Sequence, residues 1–254
     1  MLSLVSTLGS FAGEDAGEGA GEDVGATVVG GTQVKSTEWI GQRTVALLKN
    51  GQIVCSATLL SSKAALTAAH CIEGTKNYQI GFSVRVNSPG ITKRKVNRIV
   101  VHPDYDPKFS KRNPSDIAIV FFTGGKPKGY HLVPLVAANE VPKRSEVVTI
   151  SGYGASKRDG STGYGILRKA NVKIIEASLS ESEVVMDQRD TSAACYGDSG
   201  GPVYMVNATD TYHQLGIASR VSTRVEKNKR VCGNQVWYTR VGYFLKWIEQ
   251  ELQK

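Results

Sequence analysis

From Val28 onward, apolar residues come in short runs rather than at helical spacing. "TVALLK" (44–49), "QIVCSATLL" (52–60), "FSVRV" (82–86), "NRIVVH" (97–102), "DIAIVFF" (116–122), "EVVTISGYG" (146–154), "ANVKIIEAS" (170–178), "GPVYMV" (201–206) and "QLGIAS" (214–219) are each five to nine residues long and rich in β-branched side chains. Gly, Pro, Asn, Asp and Ser punctuate them, the pattern of an all-β sandwich or barrel. No alternating helical pattern suggests parallel βαβ units. The end of the chain differs. "YFLKWIEQEL" (243–252) puts Phe244, Leu245, Ile248 and Leu252 on one helical face, with Lys246, Glu249 and Gln250 off it. That spacing predicts a C-terminal amphipathic helix packed on a β body.

The softest internal boundary is "TGGKPKGYH" at 123–131, a cluster of chain-breaking residues. It divides the β-rich region into 28–125 and 126–254. Ahead of it, residues 1–27 have another character. They hold Glu14, Asp15, Glu18, Glu22 and Asp23 and no Lys or Arg. A Gly/Ala/Glu/Asp stretch of this kind cannot bury apolar surface and is expected to be mobile. "MLSLVSTLGSFA" (1–12) is mildly apolar, without the basic front of a secretory signal, and reads as a signal remnant or a free end.

The 254-residue chain carries a net charge of +8, and without residues 1–27 the balance is 18 acidic against 31 basic residues. A basic surface attracts nucleic acid, acidic membrane or acidic protein. No zinc-finger, RNA-recognition or basic-zipper pattern is present, so nucleic acid is not expected as a partner. No apolar run reaches membrane-spanning length, so no membrane span is expected. The four cysteines, Cys55, Cys71, Cys195 and Cys232, form no CxxC pair. Zinc and redox motifs are therefore not expected, and three disulfide pairings stay open.

"CYGDSGGP" (195–202) is the stretch richest in chemistry. Ser199 sits among three glycines and an aspartate, as suits a hydroxyl on a tight turn whose N–H groups point inward. A serine nucleophile needs a base. Among the four histidines, His70 lies in "LTAAHC", small residues ending a β-rich run; His102, His131 and His213 lie in polar segments and read as surface residues. The base needs an orienting carboxylate. Asp116 stands alone before the apolar "IAIVFF", a costly place for a carboxylate unless it is paired. Asp104 and Asp106 read as turn residues. "GDSGG" also fits the G-x-S-x-G elbow of α/β-hydrolases, but there the histidine follows the serine, and only His213 does so here.

Taken together, "VVGG", "LTAAHC", "DIAI", "GYG", "GDSGGP", "GIAS", "VWYTRV" and "FLKWI" make the sequence resemble the chymotrypsin/trypsin family of serine proteases from Val28 to the C-terminal helix. The resemblance implies two six-stranded antiparallel β-barrels (28–125 and 126–254) with the site in the cleft between them. It implies His70 as base, Asp116 as its orienter and Ser199 as nucleophile. The N–H groups of Gly197 and Ser199 would form the oxyanion hole, and Ser219 would support Asp116. It also selects the pairings Cys55–Cys71 and Cys195–Cys232, and with them an oxidising compartment, secreted or periplasmic. The expected partner is a protein or peptide substrate, with protein inhibitors as further candidates. The protein is expected to be a monomer with no cofactor. One carboxylate, Glu73, between Cys71 and Val96 is too few for the family's calcium loop, so no metal is expected. The rival reading is a catalytically silent homologue that binds rather than cuts; the intact trio argues against it.

Several positions depart from trypsin. Ala193 replaces the aspartate of the pocket floor, and Val221 and Val236 replace two glycines of its walls. Such a slot favours small aliphatic residues, as in elastases. Arg220 replaces an aromatic, and "STRVEKNKRVC" (222–232) is longer than usual; it reads as a solvated basic loop or as a rim for acidic flanking residues. "NAT" at 207–209 is a glycosylation acceptor pattern. The family makes precursors: cutting before a "VVGG"-type run frees an α-amino group. Here the cut would fall between Thr27 and Val28, and the Val28 ammonium would pair with Asp198. Thr27 is not basic, so a protease of small-residue specificity, or the enzyme itself, would make the cut. While residues 1–27 remain attached, Asp198 is expected to be turned elsewhere and the pocket loosely ordered.

Overall fold

The computed structural model describes residues 28–254 apart from 190–191 and 208–210. The expected pro-segment, its signal remnant and Thr27 lie outside the described residues, as do Ala208 and Thr209 of the acceptor pattern. After a short edge strand β1 (Thr32–Gln33), six strands follow: β2 (Thr44–Lys49), β3 (Gln52–Leu59), β4 (Ala64–Thr67), β5 (Tyr78–Phe82), β6 (Thr92–Val101) and β7 (Ala118–Phe122). They close into an antiparallel barrel in the order β2-β3-β4-β7-β6-β5. Six more make the second barrel: β8 (Val147–Gly152), β9 (Arg168–Ser180), β10 (Glu183–Asp187), β11 (Pro202–Val206), β12 (Tyr212–Glu226) and β13 (Lys229–Arg240). These run β9-β10-β13-β12-β11-β8, and a β8–β9 pairing closes the ring. The chain ends in a 3-10 turn (Val241–Phe244) and helix α1 (Leu245–Leu252).

Strand alternation decides which side chains fill each barrel. In β2, Val45 and Leu47 enter the first core, where they meet Ala57, Leu59, Ile80 and Val120. Ala46 and Leu48 turn outward to a second cluster shared with Tyr153 and Tyr204 of the other barrel. In β9, Val172 and Ile174 join Val184, Met186, Val203 and Ile217 in the second core, while Asn171 and Lys173 face solvent.

The run "FSVRV" is not a strand. Pairing stops at Phe82, and residues 83 and 84 form a bend; the register Gly81↔Lys93 and Phe82↔Thr92 uses Tyr78–Phe82 instead. Residues 64–67 were too short and too alanine-rich to register as a strand by pattern. Their pairings with β3 and β7 form β4.

Polar bonds cross between the barrels. Thr58 Oγ1 donates to Gln214 Oε1 at 2.8 Å, and Gln214 Nε2 donates to the Gly216 carbonyl at 3.2 Å. Tyr153 Oη donates to the carbonyls of Thr44 (3.1 Å) and Ser83 (2.9 Å). Thr58 and Gln214 are both fully buried, so neither can turn to water if its partner is lost. Thr58→Val keeps the shape but strands the Gln214 carbonyl, and should cost about 1–3 kcal/mol in urea unfolding. A variant as stable as the parent would show that this bond does not join the barrels energetically.

Candidate active site

The residues expected to do chemistry converge where the barrels meet. His70 lies in a 3-10 turn, Ala69–Cys71, directly after β4. The Cys55–Cys71 disulfide ties that turn to β3. Asp116 precedes β7 and is fully buried. Its Oδ1 accepts from the His70 backbone N–H at 2.9 Å, and its Oδ2 contacts His70 Nδ1 at 2.8 Å. From the second barrel, Ser219 Oγ donates to Oδ2 at 2.6 Å and Thr239 Oγ1 donates to the Asp116 carbonyl at 3.2 Å. A carboxylate can only accept, so Nδ1 carries the proton and Nε2 of a neutral ring keeps its lone pair.

Ser199 is held on the opposite wall. Its carbonyl accepts from the Ser56 N–H at 2.8 Å, and the next residue, Gly200, donates to the Ala218 carbonyl at 2.8 Å. Gly200 has φ +74°, and a Cβ there would fall 2.1 Å from Thr67 Oγ1 and 2.4 Å from the Ser56 carbonyl oxygen. No other residue fits between the nucleophile's turn and the strand leading to His70. Gly197 likewise has φ +89°, a conformation open to glycine. Among the described residues, neither the Gly197 nor the Ser199 N–H is engaged, which leaves two donors for an incoming oxygen. No hydrogen bond yet joins Ser199 Oγ to the His70 ring, as is common before substrate closes such a contact.

Asp198, between those donors, is buried. Oδ1 accepts from the Gly154 N–H and Oδ2 from the Cys195 N–H, each at 2.9 Å. Val28 is buried too, and the Val29 carbonyl accepts from the Ala193 N–H at 2.8 Å. The expectation that Asp198 turns elsewhere in the uncut chain is therefore corrected: two backbone donors already hold it inward. Desolvation pushes its carboxyl up to about 7.

Ala193 is fully buried, and Val221 and Val236 face each other as cross-strand partners on β12 and β13. The Cys195–Cys232 disulfide braces this region. The Gln188 side chain, also fully buried, accepts from the Ala194 N–H at 2.5 Å; a lone glutamine carried no signal in the sequence. Arg220 lies over the rings of Trp237 (4.9 Å) and Phe109 (5.1 Å), and pairs through both terminal nitrogens with Glu183. Glu183 precedes "VVM" much as Asp116 precedes "IAIVFF", so the rule that found one buried acid could have found the other.

Residues 222–231 are solvated as expected at 225–230, but they form a paired hairpin and not a loop. β12 and β13 continue pairing through Thr223↔Cys232, Arg224↔Val231, Val225↔Arg230 and Glu226↔Lys229. Lys227 and Asn228 then turn the chain with φ +47° and +62°, the two positive values of a tight hairpin turn. Arg224 points back to Glu226 and Asn234. His102 is no free surface residue either: its ring packs 5.0 Å from Phe244 and 4.9 Å from Trp247.

Two closed β-barrels with a buried aspartate paired to a partly exposed histidine, facing a serine turn, define the architecture of a serine protease. The family model "Trypsin" matches residues 28–248, and the chain belongs to that family. Curated relatives include transmembrane protease serine 11A of Homo sapiens, 30% identical over 76% of this chain and 48% of its own length. Transmembrane protease serine 11C of Mus musculus is 30% identical over 88% of this chain and 53% of its own. The chain thus spans about half the length of the curated relatives it matches. Among solved structures, neuropsin, a serine protease expressed in the limbic system of mouse brain, superposes with TM-score 0.71 at 22% identity, covering 87% of this chain and 98% of its own. Human heparin binding protein does so with TM-score 0.74 at 17% identity, covering 89% and 97%. Among the described residues, no helix is long and apolar enough to cross a membrane.

The state of Asp198 has a measurable sign. Its carboxyl holds a proton more tightly in the folded than in the unfolded chain, so it lowers stability as pH rises from about 4 to about 7. Uncut Ser199→Ala protein should therefore lose melting temperature across that window, and adding Asp198→Asn should flatten the loss. Parallel pH profiles for the two proteins would show that the buried carboxylate is fully compensated.

Proposed function

We propose that this chain is a serine endopeptidase, secreted or periplasmic, made as a precursor and activated by cutting between Thr27 and Val28. The observation that carries the catalytic reading is the pairing of buried Asp116 with a partly exposed His70, whose Nε2 keeps its lone pair, beside a serine turn with two N–H groups unengaged among the described residues. In this reading Ser199 Oγ attacks the scissile carbonyl carbon and its proton passes to His70 Nε2. Asp116, steadied by Ser219, stabilises the resulting imidazolium. The oxyanion is received by the N–H groups of Gly197 and Ser199. His70 then gives its proton to the leaving amine, and water releases the acyl group from Ser199 by the same steps.

The pocket reading rests on Ala193, Val221 and Val236. A methyl floor cannot pair with a substrate ammonium or guanidinium, which would be buried without a partner. Paired valine walls would narrow the slot and disfavour an aromatic ring. Cleavage after Ala, Val or Thr follows. The two disulfides support an oxidising location.

The activation reading gains support from Val28 itself. It is a β-branched residue at φ +35°, a strain of about 1–3 kcal/mol. Cutting the Thr27–Val28 bond removes the peptide that defines this angle, while the side chain keeps its buried seat. In this reading the freed ammonium pairs with Asp198, whose oxygens otherwise accept only from the Gly154 and Cys195 N–H groups among the described residues.

Ser199→Ala and His70→Ala should each lower peptidase turnover about a millionfold, since the two act as a unit; a tenth of the parent's activity in either would overturn the assignment. Chromogenic peptides differing in the residue before the cut should rank Ala, Val and Thr above Phe, Arg and Lys. A preference for Arg or Lys would sink the pocket reading. Mass spectrometry of active enzyme should find Val28 at its N-terminus, and active enzyme that still begins upstream would refute the activation scheme.

A further inference from the structure

A buried arginine stands behind the nucleophile's turn, and the catalytic steps make no use of it. Arg168 opens β9 and is 3% exposed. Its Nη1 donates to the carbonyls of Gly163 (3.3 Å) and Ile166 (3.0 Å). Its Nε is buried with no partner among the described residues. A guanidinium this deep is costly unless an opposite charge faces it.

The sheet register brings that charge close. Arg168 is the cross-strand partner of Gly152. Asp198 occupies the space a Gly152 side chain would need: a Cβ there would lie 2.2 Å from Asp198 Oδ1. The Asp198 carboxylate thus lies at the β8–β9 rung from which the Arg168 side chain departs, with no ion pair or hydrogen bond joining the two among the described residues. The attraction runs both ways: Arg168 lowers the Asp198 carboxyl, and Asp198 raises the Arg168 guanidinium. Burial and the neighbouring Arg85 bring Arg168 down to about 10, still charged at neutral pH.

A second link reaches the oxyanion donor. The two carbonyls that Arg168 holds bracket Tyr164. The Tyr164 ring packs on Gly197, where a Cβ would fall 2.9 Å from ring carbon Cε1. Asn87 Nδ2 steadies the same segment by donating to the Tyr164 carbonyl at 3.0 Å. Removing the guanidinium would take the counter-charge from a carboxylate still held by the Gly154 and Cys195 N–H groups, and would release the segment that backs Gly197.

We infer that Arg168 is a positioning residue for the oxyanion turn, supplying the counter-charge to Asp198 while Thr27 and Val28 are still joined. The inference rests on the reading that cutting before Val28 later brings an ammonium to Asp198. It gives the uncut chain a formed pair of donors, Gly197 and Ser199, and a reactivity that cutting raises rather than creates.

The test compares uncut and cut forms of the whole chain. Thr27→Pro is introduced to block the cut, and intact mass confirms that it does. The probe is a fluorophosphonate, whose rate of reaction with Ser199 depends on the oxyanion donors. Uncut protein should be labelled at a measurable rate. Adding Arg168→Gln should slow labelling by about tenfold to a hundredfold, approaching the loss of one oxyanion donor, and Arg168→Lys should restore most of the rate. In protein cut to Val28, where the ammonium faces Asp198, Arg168→Gln should cost less than about threefold, well under one oxyanion donor. If uncut Arg168→Gln does not fold, adding Asp198→Asn should restore its melting transition, because the stranded carboxylate is gone. The inference fails if cut and uncut proteins lose equally, if Arg168→Lys rescues nothing, if Asp198→Asn does not restore folding, or if uncut protein is inert while cut protein is labelled. Cut protein that is itself unlabelled would overturn the protease reading, and this inference with it.

Discussion

Two carboxylates are taken out of water at the junction of the barrels, and each must be satisfied there. Asp116 is the more demanding. His70 approaches it twice from the first barrel, and Ser219 approaches from the second. An unpaired carboxylate at that depth would cost several kcal/mol. Any docking of the barrels that moved Ser219 or the His70 turn away would incur that cost. The same contacts that hold the barrels in register therefore fix the tautomer and direction of the imidazole. Stability and chemistry share one set of hydrogen bonds, so the cleft cannot shift without weakening both.

Asp198 imposes the matching constraint on the nucleophile. Its oxygens take the Gly154 and Cys195 N–H groups, which draws the turn inward and leaves the N–H groups on either side of it unengaged. Close packing explains the glycines nearby. Gly152 leaves room for the carboxylate and Gly200 for the strand leading to His70. A side chain at either position would collide with atoms that cannot yield, so the motif is a steric requirement of the buried acid as much as a catalytic one. The family assignment fits this geometry.

In the proposed pocket, the β12–β13 ribbon would shape what can enter. It pairs Val221 with Val236, carries Arg220 onto Glu183, and runs on past Cys232 as a hairpin. Arg220 keeps a flat, half-buried surface where an aromatic would stand, with Trp237 beneath it. Its charge is matched by Glu183, so that part of the ribbon is polar without being strongly basic.

Much of this was legible before any coordinates. Short apolar runs between turn residues announced an all-β sandwich or barrel, and the family resemblance chose two barrels. The "LTAAHC", "DIAI" and "GDSGGP" segments announced His70, Asp116 and Ser199, because a nucleophile, its base and a buried acid need those residue types in those settings. Other features escaped because their cause lies elsewhere in the chain. "FSVRV" has strand-like composition, but its neighbours pair with the residues before it. The basic stretch at 222–231 looks like a loop until its two halves are seen to pair. Arg168 reads as an ordinary charge at a strand's edge; nothing local says that it is buried, or that its neighbour across the ladder is a glycine whose missing side chain is replaced by Asp198. The sequence by itself determined which residues could do the chemistry and the β architecture that carries them. Tertiary structure alone decided which charges lose their water and which partners compensate them, because burial and pairing arise from segments far apart in the chain.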